Sequence, residues 1–553
     1  MNKKVCSFPI LFALLALLIG TCAVVFPASA QAAPTSTGSI TVSGTVASRY
    51  DAYQIFSANV VDGDSDAKIA TDLAWASDAV RDAALPVLHS AGMPNSQTTA
   101  QEAAEWLNTD SHLTSALSAQ LARSLQSSGA RPAALNAGTT AELPCGYWLI
   151  VADDDAIAQD EAGTAPIMAL VGGSAVTVKP KAATPKVKKH VLEDSTAAWQ
   201  KAADATVADD LYWRLSATVP AGLTAYDTYT VKFVDTMSAG LDPSKVAASI
   251  RVYVAAGADG GFDAVSCEGG SASSTPAKGW TDITSQCRVS VEGKAFTVRT
   301  GDLIAALGGA DAFTAGARVV AVYNAPLNSA CNHGIAKGNP NEVYLRYPRS
   351  PFADQSGDAG FTRTPSDDAC AYTWDLALTK RGSDGDKPLA GAVLSIADDR
   401  GRTLAADGTW DAEGKATVTT GEDGRVTVSG VDSGKLEVRE LKAPKGYTAF
   451  EGTRSVTVKA EGLDVDQVAA AKPKLTITAE SPLRADSADG STGSLEASLI
   501  NTPTGTPPSI TTGGFMPSTG DMAMYAAAAA AVAGAALIVV ALLVKRGGGS
   551  HKE

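Results

Sequence analysis

From about residue 185 to residue 365, apolar and polar side chains alternate almost without a break. Leu211, Trp213, Leu215, Ala217 and Val219 share one parity, with Tyr212, Arg214, Ser216 and Thr218 between them; Asn341, Val343, Leu345 and Tyr347 repeat the pattern. Successive side chains of a strand point to opposite faces, so this period of two, cut by Gly, Asp, Ser and Pro turns, predicts a β-sandwich. A further unit of the same texture runs from about Thr373 to Pro503. The stretch from Ser39 to Lys181 opens with Ile40-Thr41-Val42 and closes with the strand-like segments 146–151 and 175–178. Between them lies an Ala-rich stretch with helical spacing, from about Ala67 to Ser127. There Thr99-x-x-Glu102 predicts a capping box at the start of a short helix.

Both ends of the chain depart from this texture. Two lysines, an apolar run from Pro9 to Gly20 and Ala28-Ser29-Ala30 predict a secretory signal over residues 1–30. Cys22 sits in a poor lipobox, so lipidation is not expected. At the other end, Met516-Pro517-Ser518-Thr519-Gly520 precedes a nearly uncharged run from Ala523 to Val544, then Lys545-Arg546 and a polar tail. The run is long enough to span a bilayer, and the basic pair would hold the tail inside. Motif, span and tail together resemble a sortase cell-wall sorting signal of the Leu-Pro-x-Thr-Gly type, with Met516 in the place of Leu. The resemblance implies cleavage between Thr519 and Gly520 and transfer of the Thr519 carboxyl to an amine.

Parity also turns polar groups inward. In Trp374-Asp375-Leu376-Ala377-Leu378-Thr379-Lys380, Lys380 shares the face of Leu376 and Leu378. Glu440 shares the face of Leu436 and Val438, and Asn501 that of Leu495, Ala497 and Leu499. Burial lowers a lysine's pKa and frees a nucleophilic amine, while a buried neutral carboxyl can polarise an amide. Attack by the amine with loss of ammonia would leave a Lys380–Asn501 isopeptide bond, with Glu440 as the acid. The segment Glu440-Leu441-Lys442-Ala443-Pro444-Lys445-Gly446-Tyr447 resembles the E-box of Gram-positive pilins and Cna-B-like domains, with Leu441 in the place of Thr.

The preceding unit allows the same construction. Lys189 shares parity with Val187 and Val191, Asp209 with Leu211 and Trp213, and Asn341 with Val343, Leu345 and Tyr347. Residues 341–347 resemble the closing strand of the fimbrial isopeptide-forming domain family. That resemblance places lysine, acid and acceptor on Lys189, Asp209 and Asn341, with Asn339 an alternative acceptor of the same parity. The segment 176–181 is similar to the pilin motif whose Tyr-Pro-Lys lysine accepts the next subunit, with Lys179 in the place of Tyr. This implies that Lys181 is the intersubunit lysine.

Composition narrows the rest. With 45 basic and 59 acidic side chains the chain carries a formal charge of −14, which excludes a phosphate-neutralising nucleic-acid partner. Neither a Cys-x-x-Cys nor a His-Glu-x-x-His spacing occurs, and Asp62-x-Asp64-x-Asp66 lacks the Gly and Glu of a calcium loop, so no metal or cofactor is expected. After signal removal five cysteines remain; Cys267 can pair with Cys287 and Cys331 with Cys370, leaving Cys145 free and buried.

The expected fold class is mainly β, with tandem immunoglobulin-like or Cna-like sandwiches and an α-helical insertion in the N-terminal domain. The expected domains are 31–182, 183–370 and 371–505, followed by a linker over 506–515 and the sorting signal over 516–553. The resemblances imply a structural subunit of a sortase-assembled pilus, the shaft pilin, with no catalysis on any external substrate, secreted and attached to the bacterial wall. Its partners would be a sortase, neighbouring subunits and peptidoglycan, with the membrane met only through the uncleaved sorting signal. The other reading is a wall-anchored adhesin, or a tip or base subunit, binding a host surface ligand.

Overall fold

The structure, a computed structural model, describes residues 36–505 apart from 65–66, 110, 159, 181–183, 266, 269–270 and 273–275. The signal segment, Lys181 and the whole 516–553 sorting region lie outside the described residues, as does the apolar run 523–544. Among the described residues no helix is long and apolar enough to cross a membrane.

The protein is mainly β, and its strands fall into three consecutive groups. In the first, Thr37–Val42 pairs with Thr140–Pro144 and Val176–Val178, while Arg49–Asp62 and Gly146–Ala152 centre a second sheet. Three helices, Asp78–Ser90, Ala100–Asn108 and Ser115–Ser127, cover that sheet through Val80, Ala84, Leu88, Leu117, Leu121 and Leu125. The capping box is present: the Glu102 amide donates to Thr99 Oγ1 at 3.2 Å, and the Thr99 amide donates back to Glu102 Oε2 at 3.0 Å. The helical region begins later than its spacing suggested. Lys68–Trp75 is a strand, because it pairs antiparallel with Arg49–Asp62 and so satisfies its backbone groups there. Asp62 is tied down by the Ser174 amide and hydroxyl rather than pointing into a cation loop.

The second group is a two-sheet sandwich. Lys186–Glu193, Tyr212–Val219, Ala317–Asn324 and Arg251–Ala256 are successive neighbours in one sheet. Asp367–Tyr372, Asn339–Pro348, Lys232–Met237 and Ala295–Arg299 are successive neighbours in the facing one. Trp213, Leu215, Phe233, Val298, Tyr323, Val343 and Leu345 fill the space between them. The expected polar face of Tyr212–Val219 is covered as well: Arg214 is buried, stacked over the Trp199 ring at 4.9 Å and paired with Asp263 at 3.1 Å.

The third group repeats the sandwich. Trp374–Gly382 lies between Arg425–Val431 and Ser494–Pro503, and its pairing with Ser494–Pro503 is parallel. Gly434–Lys442, flanked by Val393–Ala397 and Thr453–Glu461, belongs to the opposite sheet.

Candidate functional site

In the second sandwich Lys189 points inward as its parity requires and is fully buried. Asn341 faces it from the other sheet and is equally buried. The carboxylate beside the amine is not Asp209. That residue sits in a bend three residues ahead of the strand Tyr212–Val219, where alternation does not extend, and its carboxylate pairs with Arg400 at 2.7 Å and Arg402 at 2.5 Å of the third sandwich. Asp235 takes the place instead, buried and in direct contact with Lys189 Nζ. Its strand reads Lys232-Phe233-Val234-Asp235-Thr236-Met237, so Phe233 and Met237 mark the same inward face, and the parity rule used elsewhere would have found it.

Tyr323 was also missed. Its hydroxyl accepts from Lys189 Nζ at 2.9 Å and from Asn341 Nδ2 at 2.9 Å, and donates to Asp235 Oδ2 at 3.1 Å. Burial pulls the Lys189 amine down to about 8, opposed by the Asp235 charge, and pushes the Asp235 carboxyl up. Around the amine lie the Trp213 and Tyr323 rings, with centroids at 5.5 and 5.4 Å. The backbone of Lys189 is clamped from outside: its amide donates to Asp367 Oδ2 at 2.7 Å, and its carbonyl accepts from Lys201 Nζ at 2.8 Å.

Geometry separates the two candidate acceptors. Asn339 is saturated, its Oδ1 accepting from the Asn332 amide at 2.8 Å and its Nδ2 donating to the Asn332 and Ala371 carbonyls. Asn341 Oδ1 and Asp235 Oδ1 are buried without partners. An unsatisfied buried amide oxygen is costly, and here it belongs to the group that would be attacked.

The third sandwich assembles Lys380, Glu440 and Asn501 as their parities require, all three buried. Lys380 Nζ donates to the Leu499 carbonyl at 3.1 Å and lies 3.8 Å from Glu440 Oε1. Asn501 Nδ2 donates to both Glu440 oxygens, at 2.9 and 3.0 Å, and the Phe450 amide donates to Oε2 at 3.1 Å. Asn501 Oδ1 again has no partner. Burial, opposed by Glu440, draws the Lys380 amine down to about 8. Leu441 points away from this site into solvent, and Gly446, at φ 84°, supports the turn that returns the chain at Tyr447.

The second and third sandwiches thus each present a depressed lysine, a carboxylate and an asparagine with an orphaned carbonyl oxygen, enclosed from water. Residues 375–472 match the SpaA prealbumin-like fold domain. The third sandwich contains that domain. Over 143 residues the chain is 30% identical to the trypsin-resistant surface T6 protein of Streptococcus pyogenes serotype M6, a match covering 24% of each. The chain therefore spans about a quarter of the length of this curated relative. Among solved structures it is similar to the T6 backbone pilin of serotype M6 Streptococcus pyogenes at 17% identity and TM-score 0.46, covering 85% of this chain and 98% of that one. It is also similar to the major pilin SpaD from Corynebacterium diphtheriae at 15% identity and TM-score 0.41, with the same coverage.

The expected Cys331–Cys370 disulfide is not formed. Cys287, Cys331 and Cys370 are free thiols, and the Cys267 side chain lies outside the described residues. Cys370 points away from the second sandwich, between the inward Ala369 and Ala371, and packs with Tyr372 and Trp374 in the core of the third. Cys331 packs on the second core beside His333, so the two sulfurs belong to different cores. Cys145 is free and buried.

Proposed function

We propose that this chain is a structural subunit of a sortase-assembled surface pilus whose second and third sandwiches are each closed by a self-formed isopeptide bond. The observation that carries this reading is the pair of enclosed Lys–carboxylate–Asn sites, Lys189–Asp235–Asn341 and Lys380–Glu440–Asn501. In each, the amine attacks the asparagine Cγ, the carboxyl group manages the protons, and ammonia leaves. The SpaA-type segment and the identity to a streptococcal surface protein support the same reading.

The bonds suit a load-bearing role. Force entering at Trp374 would run along its strand to Lys380, cross to Asn501 and leave at Pro503, bypassing everything between. In the second sandwich it would cross from Lys189 to Asn341. Thr519, released from Gly520 within the Met516-Pro517-Ser518-Thr519-Gly520 motif, would join Lys181 of the next subunit or the wall peptidoglycan.

The mass of residues 31–519, denatured and reduced, tests the internal chemistry. Two missing ammonias, ~17 Da each, are expected from the leaving groups, and Lys189→Ala and Lys380→Ala should each restore one. An unshifted mass would remove the basis for the reading. Lys181→Ala should abolish the high-mass ladder on denaturing gels; a ladder that survives would leave an adhesin, tip or base subunit attached only once.

A further inference from the structure

The two sites are wired differently. In the third sandwich the acid meets the amide directly, with both Glu440 oxygens on Asn501 Nδ2. In the second, Asp235 meets the amine, and no hydrogen bond joins it to Asn341. The Tyr323 hydroxyl fills that gap, bonded to Lys189, Asp235 and Asn341 at once. Its ring is fully buried and held edge-on by Phe296 at 4.7 Å, so the hydroxyl has a fixed position.

We propose that Tyr323 is a catalytic residue of Lys189–Asn341 bond formation, relaying a proton from Asp235 to the departing nitrogen of Asn341. This rests on the isopeptide reading above. Asp235 first takes one proton from the Lys189 ammonium, giving an amine and a neutral carboxyl. The amine lone pair forms the new N–C bond at Asn341 Cγ, and the carbonyl π pair moves to oxygen. As the carbonyl reforms, the C–Nδ2 pair leaves with nitrogen. Tyr323 gives its hydroxyl proton to that nitrogen and takes the Asp235 proton in exchange, so ammonia departs uncharged. Asp235 then accepts the surplus proton of the new amide nitrogen. It ends protonated, Tyr323 ends unchanged, and no redox partner is needed. Positioned proton transfer of this kind is worth about 10²–10⁴ in rate.

The test follows the full chain through cell-free synthesis, sampled over time and digested, with the Lys189–Asn341 and Lys380–Asn501 cross-linked peptides quantified by mass. Tyr323→Phe should slow the first link about 100-fold and leave the second at its wild-type rate. A first link forming at the wild-type rate overturns the relay while leaving the isopeptide reading intact. Absence of the first link from the wild-type chain overturns both for this sandwich. Should Tyr323→Phe leave the second sandwich protease-sensitive, site-specific 3,5-difluorotyrosine at 323 decides. This near-isostere has a more acidic phenol, so its rate–pH profile should shift to lower pH; an unshifted profile overturns the relay.

Discussion

Lys380 and Asn501 stand two residues out of register on neighbouring parallel strands, Lys380 opposite Leu499 and Asn501 opposite Gly382. An offset of two keeps both side chains on the core face, and Glu440 of the opposite sheet reaches both. A bond between them would tie the opening strand of the sandwich to its closing strand.

Pulling experiments should therefore separate bonded from unbonded chains. With the Lys380–Asn501 bond intact, the residues between contribute no extension. Asn501→Ala should release them, adding about 400 Å of contour at ~3.5 Å per residue. Single-molecule force spectroscopy on the full chain measures the step; equal steps in both proteins would contradict the bond.

The bonds should also stabilise at equilibrium. Closing a loop of more than a hundred residues removes about 5 kcal/mol of unfolded-state entropy on the chain-entropy estimate. Asn341→Ala should lower the unfolding free energy of the second sandwich by roughly that amount, read in guanidinium melts against the wild type.

The two aspartates of the second sandwich make opposite predictions. Asp235→Asn should abolish the Lys189–Asn341 cross-link, because it removes the carboxylate in contact with the amine. Asp209→Asn should leave that link intact and weaken only the contact with Arg400 and Arg402. Peptide mapping of both variants checks this, and a bonded Asp235→Asn protein would remove the carboxylate from the chemistry.

Without the bond, buried Lys380 should make stability depend on pH. Its folded value of about 8 lies below the ordinary lysine value of 10.5, so between those values the unfolded chain holds more protons and stability rises with pH. Below about 8 both states are protonated and the cost of burying the charge is fully felt. The stability of Asn501→Ala relative to Asn501→Ala/Lys380→Met should thus improve from pH 8 towards 10.5. A difference that stays flat across that window would contradict the depressed amine.

The mainly β character, the inward lysines Lys189 and Lys380, and the inward Glu440, Asn341 and Asn501 were all legible from alternation. Each lies within an unbroken strand whose apolar neighbours fix its face. Asp209 failed because parity was carried past the start of its strand into a bend, while Asp235 was readable by the same rule and passed over. The cysteine pairing failed because spacing along the chain does not say which core a sulfur enters.

By itself the sequence determined which face of each strand a side chain would take, because that follows from local backbone geometry and the burial of its neighbours. Only the tertiary structure decided which inward groups meet. Tyr323 shares its sheet with Lys189, while Asp235 and Asn341 come from neighbouring strands of the opposite one. Sheet order and the packing of one sheet on the other bring these groups within hydrogen-bond reach, and no alternation within a single strand encodes that approach.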